Sequence, residues 1–319
     1  MRFTRTQTIV LANQKGGCGK TTTAVNLAAG LALEGLRTCL VDLDSQCNAT
    51  MTFGIDTEDL RRAKKPTVLD AFINKRPARQ IAIEVPERFD GMLSVLPGHP
   101  SLSAVHQKLD SDLRMEALDK GLSPEDEDDQ RANHRERLAD SLADLHDEFD
   151  CIVVDTPPDL GFLLSSALRS GDWFIVPVFP SDYDLKGLSK LTQSARKVRE
   201  RGNPGLRLMS VLVGNFDRSA RLDQDIYEQL RSKFGEQMSA VKVTRGVRMR
   251  ELPSFQTTIF EHDPKCDQAE QYRDFCREVI KRIERRERGV AEAVAPTVNS
   301  AQPSGSVQTE HTVGEMSNG

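Results

Sequence analysis

Ten residues, Asn13 to Thr22, read NQKGGCGKTT; they follow the apolar run TIVLA and lead into a stripe at Val25, Leu27, Ala28, Leu31 and Ala32. Apolar run, glycine-rich turn, then 3.6-residue periodicity predicts strand, loop, helix. Glycines at such a turn let the backbone approach a ligand that a Cβ would hold off. Successive N–H groups opening a helix, with its partial positive charge, suit an anion. The spacing follows G-x-x-x-x-G-K-[ST], except that Gln14 stands at the first glycine and a second lysine, Lys15, comes next. The expected contacts of a polyphosphate are Lys15, Gly16, Gly17, Cys18, Gly19, Lys20, Thr21 and Thr22, with Lys20 on the β and γ phosphates and the Thr21 hydroxyl on Mg²⁺. A dinucleotide fingerprint starting at Gly17-x-Gly19 would need a third glycine where Thr22 stands, so that reading fails on its own motif.

The pattern repeats along the chain. Strands are expected at Arg37–Asp42, Leu93–Leu96, Asp150–Asp155, Trp173–Val178, Leu208–Gly214 and Ala240–Val243, and helices at Arg135–His146, Leu185–Arg201, Leu222–Phe234 and Gln268–Arg288. Continuous apolar strands separated by helices imply an α/β fold: a mostly parallel, doubly wound sheet covered on both faces, with ligands at the carboxyl ends of the strands. Asp42 and Asp44 close one strand and Asp155 closes another, CIVVD, a place for an acid that holds a metal directly or through water. A glycine loop, GKT and two acidic strand ends together signal a nucleoside triphosphatase.

Charge and composition narrow the partners. The 319 residues carry a net charge of −5, but Asp110 to Asp150 hold fifteen acidic and five basic residues, so the rest of the chain is net positive and has room for a basic face. The run Glu125-Asp126-Glu127-Asp128-Asp129 beside Pro124 reads as a solvated loop, an insertion over about 119–132. From Gly289 the chain turns to Ser, Thr, Gln, Pro and Gly, the composition of a disordered tail. The six cysteines include no C-x-x-C pair, which argues against a zinc site and for reduced, buried thiols. Neither a long apolar run nor a secretory leader is visible, so a cytoplasmic protein is expected.

NQKGGCGKTTTAVNLAAGLA, LVDLDSQCNAT, IVVDTPP, VPVFPSDYDLKGL and VTRGVRMRELPSF together resemble the ParA/Soj branch of the deviant Walker A ATPases, relatives of MinD, over about residues 6–285. The resemblance implies one ATPase domain over 1–288, ATP and Mg²⁺ as cofactors, and a face-to-face dimer sandwiching two nucleotides. It implies that Lys15 crosses to the partner subunit's ATP, Lys20 serves its own, Asp44 positions the attacking water beside the metal, Asp42 supports it and Asp155 is the Walker B acid. A lysine supplied by the opposite subunit then serves somewhat as an arginine finger.

The resemblance further implies binding of DNA without sequence preference, through Arg218, Arg221, Arg245 and Arg248, with Lys242 and Arg250 as secondary candidates. It implies nucleoid association, and an adaptor such as a ParB-like protein that stimulates hydrolysis during chromosome or plasmid segregation. Relatives that position carboxysomes or chemotaxis clusters, and a MinD-like membrane-associated ATPase, are the alternatives. The final helix, with Tyr272, Phe275, Val279, Ile280 and Ile283, reads as a packed face rather than a membrane anchor. The chain departs from the family at Ser45 and Cys47, where D-x-D-P-Q-G-N has proline and glycine, and at Val243-Thr244-Arg245, where I-P-R is usual. Asn215 is a candidate adenine contact or a turn-forming asparagine in GNFD.

Overall fold

The computed structural model describes residues 2–85, 87–180 and 185–294. Strand β1 (Gln7–Leu11) enters helix α1 (Lys20–Leu33), and β2 (Thr38–Asp42) follows. Three short helices come next, α2 (Asn48–Thr52), α3 (Thr57–Arg62) and α4 (Val68–Ile73), then β3 (Ile83–Glu84) and β4 (Leu93–Leu96). Helices α5 (Val105–Lys120) and α6 (Pro124–Leu142) precede β5 (Cys151–Asp155), α7 (Phe162–Ser170), β6 (Trp173–Val178), α8 (Leu185–Arg201) and β7 (Arg207–Phe216). The chain closes with α9 (Arg221–Phe234), β8 (Met238–Thr244), α10 (Val247–Phe255), α11 (Ile259–His262) and α12 (Asp267–Val294).

The described strands form one sheet in the order β3-β4-β2-β5-β1-β6-β7-β8. Every pairing is parallel except β3 with β4. Alternation along each strand serves two cores. Ile9, Leu11, Leu40 and Val153 pack with α1, α11 and α12; Val10, Val41, Ile152 and Val154 pack with residues of α4 to α9. A strand buried on both faces has no polar side, which is why these segments read as unbroken apolar runs.

The acidic segment corrects the expectation of a solvated loop. It is helical from Pro124, because Ser123 and Asp126 form a capping box, Pro124 occupies the first turn, and Glu125, Asp126 and Glu127 sit where the helix dipole favours negative charge. Leu138 and Leu142 bury the other end of α6. Helix α12 likewise continues to Val294, past Gly289; residues from 295 lie outside the described ones, so the expected tail is not addressed by the structure.

Tyr272, Phe275, Val279, Ile280 and Ile283 are all buried against the α1 side of the sheet, as a packed face requires. That apolar stripe is spent in the core and offers nothing to a bilayer. Among the described residues, no helix is long and apolar enough to cross a membrane.

Candidate nucleotide and metal site

The sheet brings the two acidic strand ends together. β2 and β5 are neighbours, with Asp42 paired in register with Asp155, and β1 lies on the other side of β5, with Leu11 beside Asp155. The glycine loop leaves β1 at this point. Asn13 holds its start: the side-chain amide donates to the Pro177 carbonyl at 2.8 Å, and the side-chain oxygen accepts from Lys15 N at 3.1 Å. Asn13 had no role in the sequence reading, although it stands inside the quoted motif.

Within the loop the two lysines part company. Lys20 is buried, and its Nζ donates to the Lys15 carbonyl at 3.0 Å; the Lys15 side chain is exposed. A buried ammonium bonded to a backbone carbonyl is readily reoriented toward a phosphate oxygen, which offers a stronger charge-assisted bond. Cys18 is buried and donates to the same carbonyl at 3.1 Å; burial, only partly offset by Lys20, raises its thiol pKa. That thiol is a small packing group rather than a nucleophile.

Gly19, the N-cap of α1, sits at φ 87° with the Phe179 ring close by: a Cβ there would meet ring carbons at 2.9 Å. Gly19→Ala therefore carries both left-handed strain and a steric clash. The expected result is loss of nucleotide binding with the fold retained, checked by equilibrium binding of a fluorescent ATP analogue alongside circular dichroism.

Asp155 is fully buried, and neither carboxylate oxygen has a hydrogen-bond partner among the described residues. Burial first, then the nearby Asp42 charge, pushes its pKa up to about 8, with Thr21 and Lys20 close enough to oppose the rise only in part. An orphaned buried carboxylate is costly unless a cation or ordered water satisfies it. It suits Mg²⁺, a hard cation that takes oxygen ligands and keeps several waters. Among the described residues, no group of three or more His, Cys, Asp or Glu forms a cage for a metal by itself. Phosphate oxygens and water would therefore complete the coordination of an ion held near Thr21 and Asp155.

Asp42 is different. It is also fully buried, but Oδ1 accepts from Asp44 N at 3.1 Å and Oδ2 accepts from Thr50 N at 2.8 Å and Thr50 Oγ1 at 2.7 Å. Burial raises its pKa to about 6 against the pull of these bonds. Gly98 N in turn donates to Thr50 Oγ1 at 2.8 Å, so Asp42 organises the turn that carries Asp44. Asp44 is half-buried, with Oδ1 accepting from Gln46 N at 3.0 Å. Cys47 closes this turn at φ 54°, the left-handed region in which the family's glycine is free of strain. The sulfur fits because the neighbour is Gly98, where a Cβ would come within 3.1 Å of both Cys47 Sγ and the Asp42 carboxyl.

A cavity of about 230 Å³ opens beside Gly19 and Thr22, walled by Phe179, Asn215, Met249, Arg250 and Tyr272. Asn215 stands near the end of β7 with a left-handed φ of 50° and lines this cavity. Phe179 and Met249 were not singled out, and Tyr272 was read only as part of the packed face of the final helix; the three lie far apart in sequence and share no motif. A larger cleft of about 610 Å³ beside α5 and α6 is lined by Lys75, Glu116, His134, Glu136, Arg137 and Asp140, charges of both signs away from the strand ends.

The four leading arginines follow the ends of β7 and β8: Arg218 and Arg245 in the connections, Arg221 and Arg248 in the first turns of α9 and α10; Arg245 N donates to the Phe216 carbonyl at 2.9 Å and joins the two connections. All four are exposed. Arg245 lies 3.7 Å from Asp217, and Arg248 lies 3.3 Å from Glu251 and 3.2 Å from Asp263. Arg218 and Arg221 have no carboxylate partner among the described residues. Lys242 rests 3.9 Å from the centroid of the Tyr227 ring. Arg250 instead lines the cavity beside Thr22.

A family model described as an AAA domain matches residues 6–208. The chain is 35% identical over 274 residues to the chromosome partitioning protein ParA of Myxococcus xanthus, covering 86% of this chain and 88% of that one. It is also 35% identical to the chromosome-partitioning ATPase Soj of Thermus thermophilus, covering 86% and 96% of the two chains. In three dimensions it resembles the cobyrinic acid a,c-diamide synthase of Mycobacterium smegmatis crystallised with ADP and magnesium, with a TM-score of 0.69 at 24% identity over 88% and 96% of the chains.

Proposed function

The chain belongs to the ParA/Soj family of partition ATPases, hydrolysing ATP with magnesium, and from that premise we propose that two copies close face to face over two ATP molecules and then associate with DNA. Lys15 is the group exchanged between subunits, and Lys20 with the loop amides holds each subunit's own phosphates. Asp44 positions the attacking water, Asp42 keeps the Asp44 turn in place, and Thr21 with Asp155 holds Mg²⁺. When bound, the ion draws negative charge from the phosphate oxygens. Asn215 and the cavity beside Thr22 take the nucleoside.

The observation carrying this reading is the division of the loop's lysines into one buried and one exposed. A positive charge displayed outward from a phosphate cradle has its use in a neighbouring subunit. Nucleotide shared across an interface makes dimer stability depend on ATP.

DNA is bound by the dimer beyond the ends of β7 and β8, chiefly through Arg218 and Arg221, which form no ion pair among the described residues. Such contacts are to phosphate, so affinity falls steeply with salt. In the cell this places the ATP form on the nucleoid, where a ParB-like adaptor stimulates hydrolysis and moves chromosomal or plasmid cargo. The test is fluorescence anisotropy of a short duplex with ATP present: Arg218→Ala/Arg221→Ala is expected to weaken binding uniformly across sequences and to lower the salt slope by about two. Unchanged affinity and slope would move the DNA contact elsewhere.

A further inference from the structure

On the β3–β4 side of the sheet, outside the nucleotide site, a cleft of about 330 Å³ lies between the end of α3 and the start of α4. Its lining includes Arg61, Lys64, Lys65, Arg76 and His99, with Asp70 as the one acidic side chain. We propose that this cleft is a second phosphate-binding site, taking a phosphate group either of a free polyphosphate or of a nucleic-acid backbone.

The donors are arranged for an anion. Lys64 and Lys65 are exposed and have no carboxylate within ion-pair distance among the described residues. Arg61 pairs with Glu58 at 2.8 Å, and both are exposed enough to part when a stronger anion arrives. Arg76 donates from Nη1 to Gln80 Oε1 at 3.3 Å, but its Nε is buried and bonded to nothing among the described residues. The outer guanidinium nitrogens of this lining residue, held by one long bond to Gln80, are the ones that a phosphate in the cleft would meet.

His99 Nδ1 accepts from Ser101 N at 3.1 Å, which leaves the proton of the neutral ring on Nε2, so that atom too is a donor. The Asp70 carboxylate is occupied with structure: Oδ2 accepts from Thr67 N at 2.9 Å and Oδ1 from Asn74 Nδ2 at 2.8 Å. Lys64 holds a left-handed φ of 51° at the close of α3, a position that glycine fills without strain. The chain thus sets two consecutive lysines at the rim of a concave, donor-rich site.

The cleft also adjoins the catalytic turn. His99 follows Gly98, whose N–H bonds Thr50, and Thr50 bonds Asp42. An anion on His99 is therefore one residue from the network that carries Asp44.

Two arms identify the source of the phosphate. Calorimetric titration of pyrophosphate into metal-free protein should show Lys64→Gln/Lys65→Gln binding one equivalent fewer than wild type, whereas Lys20→Ala keeps that equivalent; this outcome assigns the site to free polyphosphate. Duplex DNA titrated into the ATP form should bind Lys64→Gln/Lys65→Gln about tenfold more weakly at low salt, with a slope lower by about two, if the source is a nucleic-acid backbone. Arg76→Gln should reproduce whichever loss is seen. Basal ATPase without DNA and the melting temperature should stay at wild-type values in the lysine variant. Pyrophosphate stoichiometry and DNA affinity both unchanged in the lysine variant overturn the proposal. Because Arg218 and Arg221 are intact throughout, failure here leaves the partition reading standing.

Discussion

Lys15→Ala is expected to bind ATP as a single subunit nearly as well as wild type, yet to lose ATP-dependent dimerisation and to drop in turnover by roughly a thousandfold, the scale of a missing arginine finger. The first half follows from burial: in the proposed scheme Lys20 and the loop amides hold the subunit's own phosphates, and the Lys15 side chain is exposed. The second half follows from electrostatics. A cation donated across an interface acts where charge develops on the phosphate oxygens, so its removal costs rate rather than ground-state binding. Equilibrium nucleotide binding, sedimentation with ATP and steady-state hydrolysis separate the two halves. A variant that still dimerises with ATP and turns over at the wild-type rate would remove Lys15 from the mechanism.

Asp155→Asn should have opposite effects on stability and activity. In the metal-free protein the carboxylate is fully buried with no hydrogen-bond partner among the described residues, and burial, against a partial pull from Thr21 and Lys20, raises its pKa to about 8. The folded state thus holds a proton that the unfolded chain has already released above the ordinary carboxylate range. The sign follows from linkage: where the folded form binds more protons, stability falls as pH rises, here from about pH 4 until the folded group ionises near pH 8. An amide keeps the shape without the charge, so the variant should melt higher than metal-free wild type, by about 2 kcal/mol or more at pH 8, with a flatter pH profile. Its magnesium affinity and ATPase should fall by roughly ten- to a hundredfold. Thermal melts across pH, with and without Mg²⁺, check both. A variant no more stable than wild type at pH 8 without metal would mean that Asp155 carries no burial cost.

How much of this was legible in the sequence depended on how local each signal was. Leu93–Leu96 and Trp173–Val178 matched their strands because parallel strands buried on both faces are apolar end to end. Lys15, Lys20, Thr21, Asp42, Asp44 and Asp155 stood out because each lies in a short motif at a strand end. The acidic start of α6 was misread because its charges suggested solvation, while the decisive residue, Ser123, is a single cap. Helices of five or six residues, such as α2 to α4, are too short to show a period. The two-residue β3 carries no pattern and exists through its pairing with β4. Phe179 and Tyr272 meet at one cavity only because the fold joins segments far apart in the chain. The dual role of Asp42, a motif residue whose oxygens are occupied by Thr50 and Asp44 N, needed coordinates.

The exchange of Lys15 between subunits is tested most directly by mixing. Lys15→Ala and Asp44→Ala, each inactive alone, are combined before ATP is added and turnover is followed. In a mixed dimer the Lys15→Ala subunit keeps its own Asp44 and receives Lys15 from its partner, so one site is whole; the account predicts hydrolysis well above the sum of the separate variants. A mixture no more active than that sum, with mixed dimers shown to form, would contradict it.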